Sequence, residues 1–166
     1  MAYEKVKQYF DSKGLGERVI VRESIGDTVG NAAKAVGCEP AQIAKTMSFL
    51  QSDGPVLIVT AGDAKVNNTK YKAAFAQKAV MIPGERLEEL VGHEPGAVCP
   101  YAVKDGVRVF LDESLKRFSI VHSSGGSLNS TVSLSPAELE IYASSQGWID
   151  VCNGWGEDNQ IMQHSK

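Results

Sequence analysis

The sequence has no apolar run approaching the ~20 residues that a membrane-spanning helix needs. Its three cysteines, Cys38, Cys99 and Cys152, are odd in number, far apart and without C-x-x-C spacing. That pattern argues against a disulfide framework or a zinc site and suits a reducing compartment. Histidine is equally scarce, with only His93, His122 and His164. H-E-x-x-H, G-x-S-x-G, G-x-G-x-x-G and the Walker lysine loop are all missing, so zinc-peptidase, serine-triad, dinucleotide and NTP chemistry have no support. A positive charge excess is missing too: the net charge is −3, which gives no broad footprint for a nucleic-acid duplex. The opening Met-Ala-Tyr-Glu-Lys-Val-Lys mixes an acid with its bases and leads into no apolar stretch. It does not read as a signal peptide, and a cytoplasmic protein is expected.

At 166 residues, 43% hydrophobic and 22% charged, the chain has the length and composition of one globular domain. Residues 1–155 are expected to form that domain and 156–166 a polar, mobile tail. Tyr3 to Ser12 reads as an amphipathic helix, and Arg18 to Glu23 as a β-branched strand. Asp27 or Thr28 can cap a helix through Asn31–Val36 that Gly37 closes. Ala44–Gln51 and Pro55–Thr60 form a hairpin pattern across Ser52-Asp53-Gly54. Helices are then expected over Asn68–Lys78 and Glu85–Val91, with strands at Ala79–Ile82, Val107–Leu111, Ser119–His122 and Thr131–Leu134. Ser135-Pro136-Ala137-Glu138 is a capping box with proline at the first helical position, the clearest helix start in the chain. This order predicts an α/β fold: a mixed, curved, partly barrel-like sheet surrounded by helices.

Two segments carry chemistry. Lys45 opens the alternating run Lys45-Thr46-Met47-Ser48-Phe49-Leu50. Gly92-His93-Glu94-Pro95-Gly96-Ala97-Val98-Cys99-Pro100 is a loop stiffened by two glycines and two prolines. A strand cation facing a loop of free backbone N–H groups can hold an anion or a developing oxyanion. Taken singly, each segment has a plainer reading. A lysine at a strand start can snorkel or protect an edge, and a Gly/Pro loop can be only a turn. Lys65, Lys70, Lys72 and Lys78 lie between Ala64 and Gly84 with no acid among them. They read either as a solvated helix face or as a strip that meets one end of an RNA.

Ala44-Lys45-Thr46, Gly96-Ala97-Val98-Cys99-Pro100, Val107-Arg108-Val109-Phe110-Leu111-Asp112, and Gly126 followed by Thr131-Val132-Ser133-Leu134-Ser135-Pro136-Ala137-Glu138-Leu139 occur in that order. From about Ala2 to Tyr142 the chain thereby resembles the YbaK/ProX family, free-standing relatives of the editing domain inserted in bacterial prolyl-tRNA synthetases. The resemblance implies an aminoacyl-tRNA deacylase that removes a small amino acid from a mischarged tRNA, such as tRNA-Pro, without a metal or cofactor. The acceptor end of the tRNA would be its partner, and a prolyl-tRNA synthetase a further one. By resemblance, Lys45 holds a phosphate near the terminal adenosine, and Gly96 presents N–H groups to the ester carbonyl. No protein nucleophile is implied, because water or the ribose hydroxyl can attack an ester already activated. Thr46, Met47, Ala97, Val98, Cys99, Pro100 and His122 are the expected pocket, and Lys65, Lys70, Lys72 and Lys78 the expected contacts to the acceptor stem.

The chain departs from the pattern in three places. Cys99 stands where relatives often carry serine or threonine. The strand at Thr131 lacks the acid of some cysteinyl-specific members, and Ser123–Asn129 lacks the His-Pro step of the alanyl-specific branch. The amino acid removed is therefore left open. Two other classes compete: a non-catalytic aminoacyl- or nucleotide-binding regulatory module with the same cleft, and a cysteine hydrolase using Cys99.

Overall fold

The computed structural model describes residues 2–156. The expected polar tail, with His164, lies almost wholly outside the described residues. Helix α1 (Ala2–Ser12) buries Val6 and Phe10 and leads through a 3-10 turn, Gly16–Arg18, into a short strand β1 (Val19–Val21). Helix α2 (Val29–Val36) is capped by the Thr28 hydroxyl, which accepts from the Asn31 N–H, and ends on Gly37 at φ 85°. Strands β2 (Ala44–Gln51) and β3 (Gly54–Ala61) form the hairpin that the sequence predicts, pairing Lys45 with Thr60 and Thr46 with Val59.

The remaining described elements follow in chain order. They include β4 (Lys65–Val66), α3 (Asn68–Phe75), α4 (Leu87–Leu90), β5 (Arg108–Asp112), β6 (Val121–Ser124), β7 (Ser130–Leu134), α5 (Pro136–Tyr142), β8 (Trp148–Ile149) and β9 (Cys152–Asn153). One sheet runs β2-β3-β5-β8, a second β1-β7-β6, and β4 pairs with β9. An Ile43–His122 bridge joins the start of β2 to β6, which gives the curvature without closing a barrel. Strand β3 is buried from Val56 to Ala61, as its unbroken Val-Leu-Ile-Val run demands of a strand covered on both faces. No helix among the described residues is long and apolar enough to cross a membrane.

Several elements are shorter than their patterns predict, for local reasons. Helix α3 stops at Phe75 because Ala76 turns left-handed (φ 59°), so Lys78 lies beyond the helix. Ala79–Ile82 makes a single bridge, Met81 to Phe49, before Pro83, which has no N–H to extend a ladder. It still covers part of the β2 edge, through Leu50 N–H to Val80 O (2.8 Å) and Ile82 N–H to Ser48 O (3.1 Å). The helix expected over Glu85–Val91 is a 3-10 turn, Gly84–Arg86, followed by the single helical turn α4.

Candidate active site

Alternation along β2 divides its side chains between two cavities. Ala44, Thr46 and Ser48 line one of about 280 Å³, whose other walls come from α2, β6, the loop at Gly96 and the segment from Ser123 to Thr131. Met47 and Phe49 line a second, of about 300 Å³, on the opposite face. Lys45 lines both.

Lys45 is half-buried and makes no hydrogen bond or ion pair among the described residues. Desolvation holds its pKa below the ordinary lysine value; nearby Lys65 pushes the same way, and Cys152 and Asp63 oppose. A partly desolvated ammonium without an ion-pair partner among the described residues has the charge to receive an anion. Across the first cavity lies Gly96, at φ 82°. The Ala97 N–H donates to Glu94 O (3.1 Å), and the Ser124 hydroxyl donates to Ala97 O (3.2 Å), so the loop is held from both sides. The N–H groups of Gly96 and Val98 keep no hydrogen-bond partner among the described residues, which suits them to a developing oxyanion.

His122 reaches the same cavity with Nδ1 2.8 Å from Ser133 Oγ, and burial, aided by Arg22, lowers its pKa. Thr46 Oγ1 is enclosed without a partner among the described residues. The pattern of β2 and of the Gly96 loop does not reveal the far wall. Arg22, Asp27, Thr28 and Leu128 line the cavity, and Arg22 Nε donates to Thr131 Oγ1 (3.1 Å). Their sequence signals, a strand end, a helix cap and a polar turn, had structural uses of their own.

The structure thus places Lys45, Thr46, Gly96, Val98 and His122 around one cavity. It does not bring Ala97, Cys99 or Pro100 to the lining: all three are buried members of the loop itself. Met47 belongs to the second cavity, together with Lys65. Lys70 is taken by Asp150 (3.0 Å) and Cys152 O (2.9 Å), and so clamps the C-terminal ribbon. Lys72 and Lys78 are exposed. Among the described residues no group of three His, Cys, Asp or Glu side chains could hold a metal ion.

Cys99 lies 3.5 Å from His93 Nε2, yet the pair is not arranged for nucleophilic catalysis. Nε2 donates its proton to Tyr101 O (2.8 Å) and so cannot accept one from the thiol. Burial pushes the Cys99 thiol up to about 12. His93 itself is 1% exposed, and its Nδ1 has no partner among the described residues. Burial lowers its pKa below the unfolded value. The unfolded chain therefore binds the proton first, and stability is full above ~6.5 and falls as pH drops below it. His122 acts in the same direction. The melting temperature is expected to fall between pH 7.5 and 5.5, and His93→Gln to flatten that slope; an unchanged slope would refute the role of His93.

Comparison with known proteins identifies the family. The family model for the aminoacyl-tRNA editing domain matches residues 24–141. An uncharacterized Bacillus subtilis protein, YwhH, is 40% identical over 156 residues, covering 93% of this chain and 99% of that protein. A proline–tRNA ligase of Limosilactobacillus fermentum is 34% identical over 118 residues, 66% of this chain but only 21% of the ligase. A solved structure described as a candidate trans-editing enzyme for prolyl-tRNA synthetase superposes with TM-score 0.83 at 25% identity, covering 92% of this chain and 98% of that one. With the match spanning most of the chain and the fold shared across it, this protein belongs to the aminoacyl-tRNA editing domain family.

Proposed function

We propose that the protein is a trans-editing aminoacyl-tRNA deacylase, a hydrolase that cleaves the ester of a small amino acid mischarged on a tRNA such as tRNA-Pro. The observation that carries this reading is the meeting of Lys45 with the unpartnered Gly96 and Val98 N–H groups around one cavity. Lys45 anchors a phosphate at the terminal adenosine as a point charge. The loop N–H groups stabilise the oxyanion formed as water attacks the ester carbonyl; the C–O bond to the ribose then breaks, and the ribose oxygen leaves as a hydroxyl with a proton from that water. An ester to ribose is labile enough that positioning and electrostatics suffice. Such a second sieve is needed because one methylene gives a synthetase only ~1–3 kcal/mol of discrimination. A free-standing editor works on tRNA in the cytoplasm, beside a prolyl-tRNA synthetase. Its basic contacts are confined to the acceptor end, in keeping with the net charge of −3.

The test is deacylation of Ala-tRNA(Pro), Cys-tRNA(Pro) and Ser- and Thr-bearing tRNAs by the purified protein. Hydrolysis of one or two species is expected. Failure on all of them, with retained binding of an aminoacyl-adenosine analogue, would replace the enzyme with a non-catalytic regulatory module. Iodoacetamide at pH 7 is expected to label Cys38, the partly exposed thiol, while sparing buried Cys99 and Cys152 and leaving deacylation intact. Cys99→Ala should likewise retain activity; its loss would restore the cysteine-hydrolase reading.

A further inference from the structure

We propose that the second cavity is a subsite for the nucleotide preceding the terminal adenosine, an inference that rests on the deacylase reading. Lys45 is common to both cavities, one on each face of β2. The named charges that act on its ammonium, those of Lys65 and Asp63, come from β4 and the turn before it. The phosphate on the 5′ oxygen of the terminal adenosine is a diester, so its other oxygen carries the next nucleotide. If Lys45 holds that phosphate with the aminoacyl ester in the first cavity, the chain of the tRNA leaves through the second.

That cavity has the matching chemistry. Its cations are Lys45 and Lys65, with Asn68 as a neutral polar neighbour, and no acid occurs among the described residues lining it. Its apolar surface is Met47, Phe49, Ala79 and Met81, and Met81 is 56% exposed. Charge on one side and a soft, methionine-bearing surface on the other make a place for a phosphate and for a base packed against the Met81 thioether. Such a surface is tolerant of base identity, which suits an end that all tRNAs share.

The experiment compares aminoacyl esters of 5′-AMP and of the dinucleotide CpA, carrying whichever amino acid the tRNA panel selects. For the wild type, kcat/KM is expected to be about three- to tenfold higher on the CpA ester. Met81→Asp should bring that ratio close to one, and Met81→Leu should preserve it. Met81 is a surface side chain, so neither change threatens the fold. A wild-type ratio near one, or a ratio that Met81→Asp leaves unchanged, overturns the subsite. Deacylation of tRNA but of neither ester also overturns it, by placing recognition elsewhere. Deacylation of nothing overturns the enzyme reading itself, a result distinct from the others.

Discussion

Replacing Lys45 with methionine is expected to abolish deacylation while leaving the protein as stable as before, or more so. Its ammonium is held half-buried with no ion pair among the described residues, and burial depresses its pKa. A lysine whose folded pKa lies below its unfolded value subtracts stability at neutral pH; that deficit begins to close as pH passes the lowered value and is gone only above the unfolded value of ~10.4. Methionine keeps the stem and removes the buried charge, so the melting temperature should hold or rise. Loss of the anchor should lower kcat/KM by ~100-fold or more. An edge-protecting lysine would give the opposite pattern, with activity kept and solubility impaired. The same shift sets the pH profile. After subtraction of uncatalysed ester hydrolysis, deacylation should decline on the alkaline side at a pH below the ordinary lysine value of ~10.4. A plateau through that range would remove the charge from the mechanism.

Gly96→Ala is expected to cost nearly as much activity, by a different route. Gly96 holds φ 82°, and an added Cβ would lie 2.9 Å from Leu128 Cδ2. The left-handed conformation alone costs a side chain roughly 1–2 kcal/mol, and relieving the contact moves either Leu128 or the loop. A displacement of about 1 Å in a positioning group can cost ~100-fold. Gly37→Ala supplies the control. Gly37 is equally left-handed, at φ 85°, with nothing within 4 Å of an added Cβ. Gly96→Ala should therefore lose at least as much stability as Gly37→Ala, and only Gly96→Ala should lose activity. Equal kcat/KM in the two would show that the loop N–H groups are not catalytic.

Much of this architecture is legible in local pattern. The β2–β3 hairpin, the Thr28 cap, the Gly37 stop and the Ser135–Glu138 capping box all depend on neighbours within a few residues, and each forms as its residues predict. The misjudged ends have local causes of another kind, such as the left-handed turn that alanine rather than glycine makes at position 76. Strands β4 and β9 escape notice because two residues carry no periodicity; distant partners create them. At the site, the strand and the loop are visible as motifs. What no motif shows is that alternation along β2 sends Thr46 and Met47 into different cavities, or that Lys70 is occupied by Asp150. Arg22 and Leu128 reach the lining through tertiary folding alone.

The ribbon that Lys70 clamps has a consequence for anyone who would move this module into another protein. The family match stops at residue 141, but the Gln146 N–H donates to Val109 O, the Leu111 N–H to Gly147 O, and the Val151 N–H to the buried Asp112 carboxylate. A graft cut at 24–141 would leave the β5 edge bare, deprive Asp112 of a donor and discard Val6 and Phe10 from the core. Bare strand edges invite association with other chains. The transplantable unit therefore extends to residue 153 at one end and to α1 at the other, well past the borders of the family-model match at residues 24 and 141.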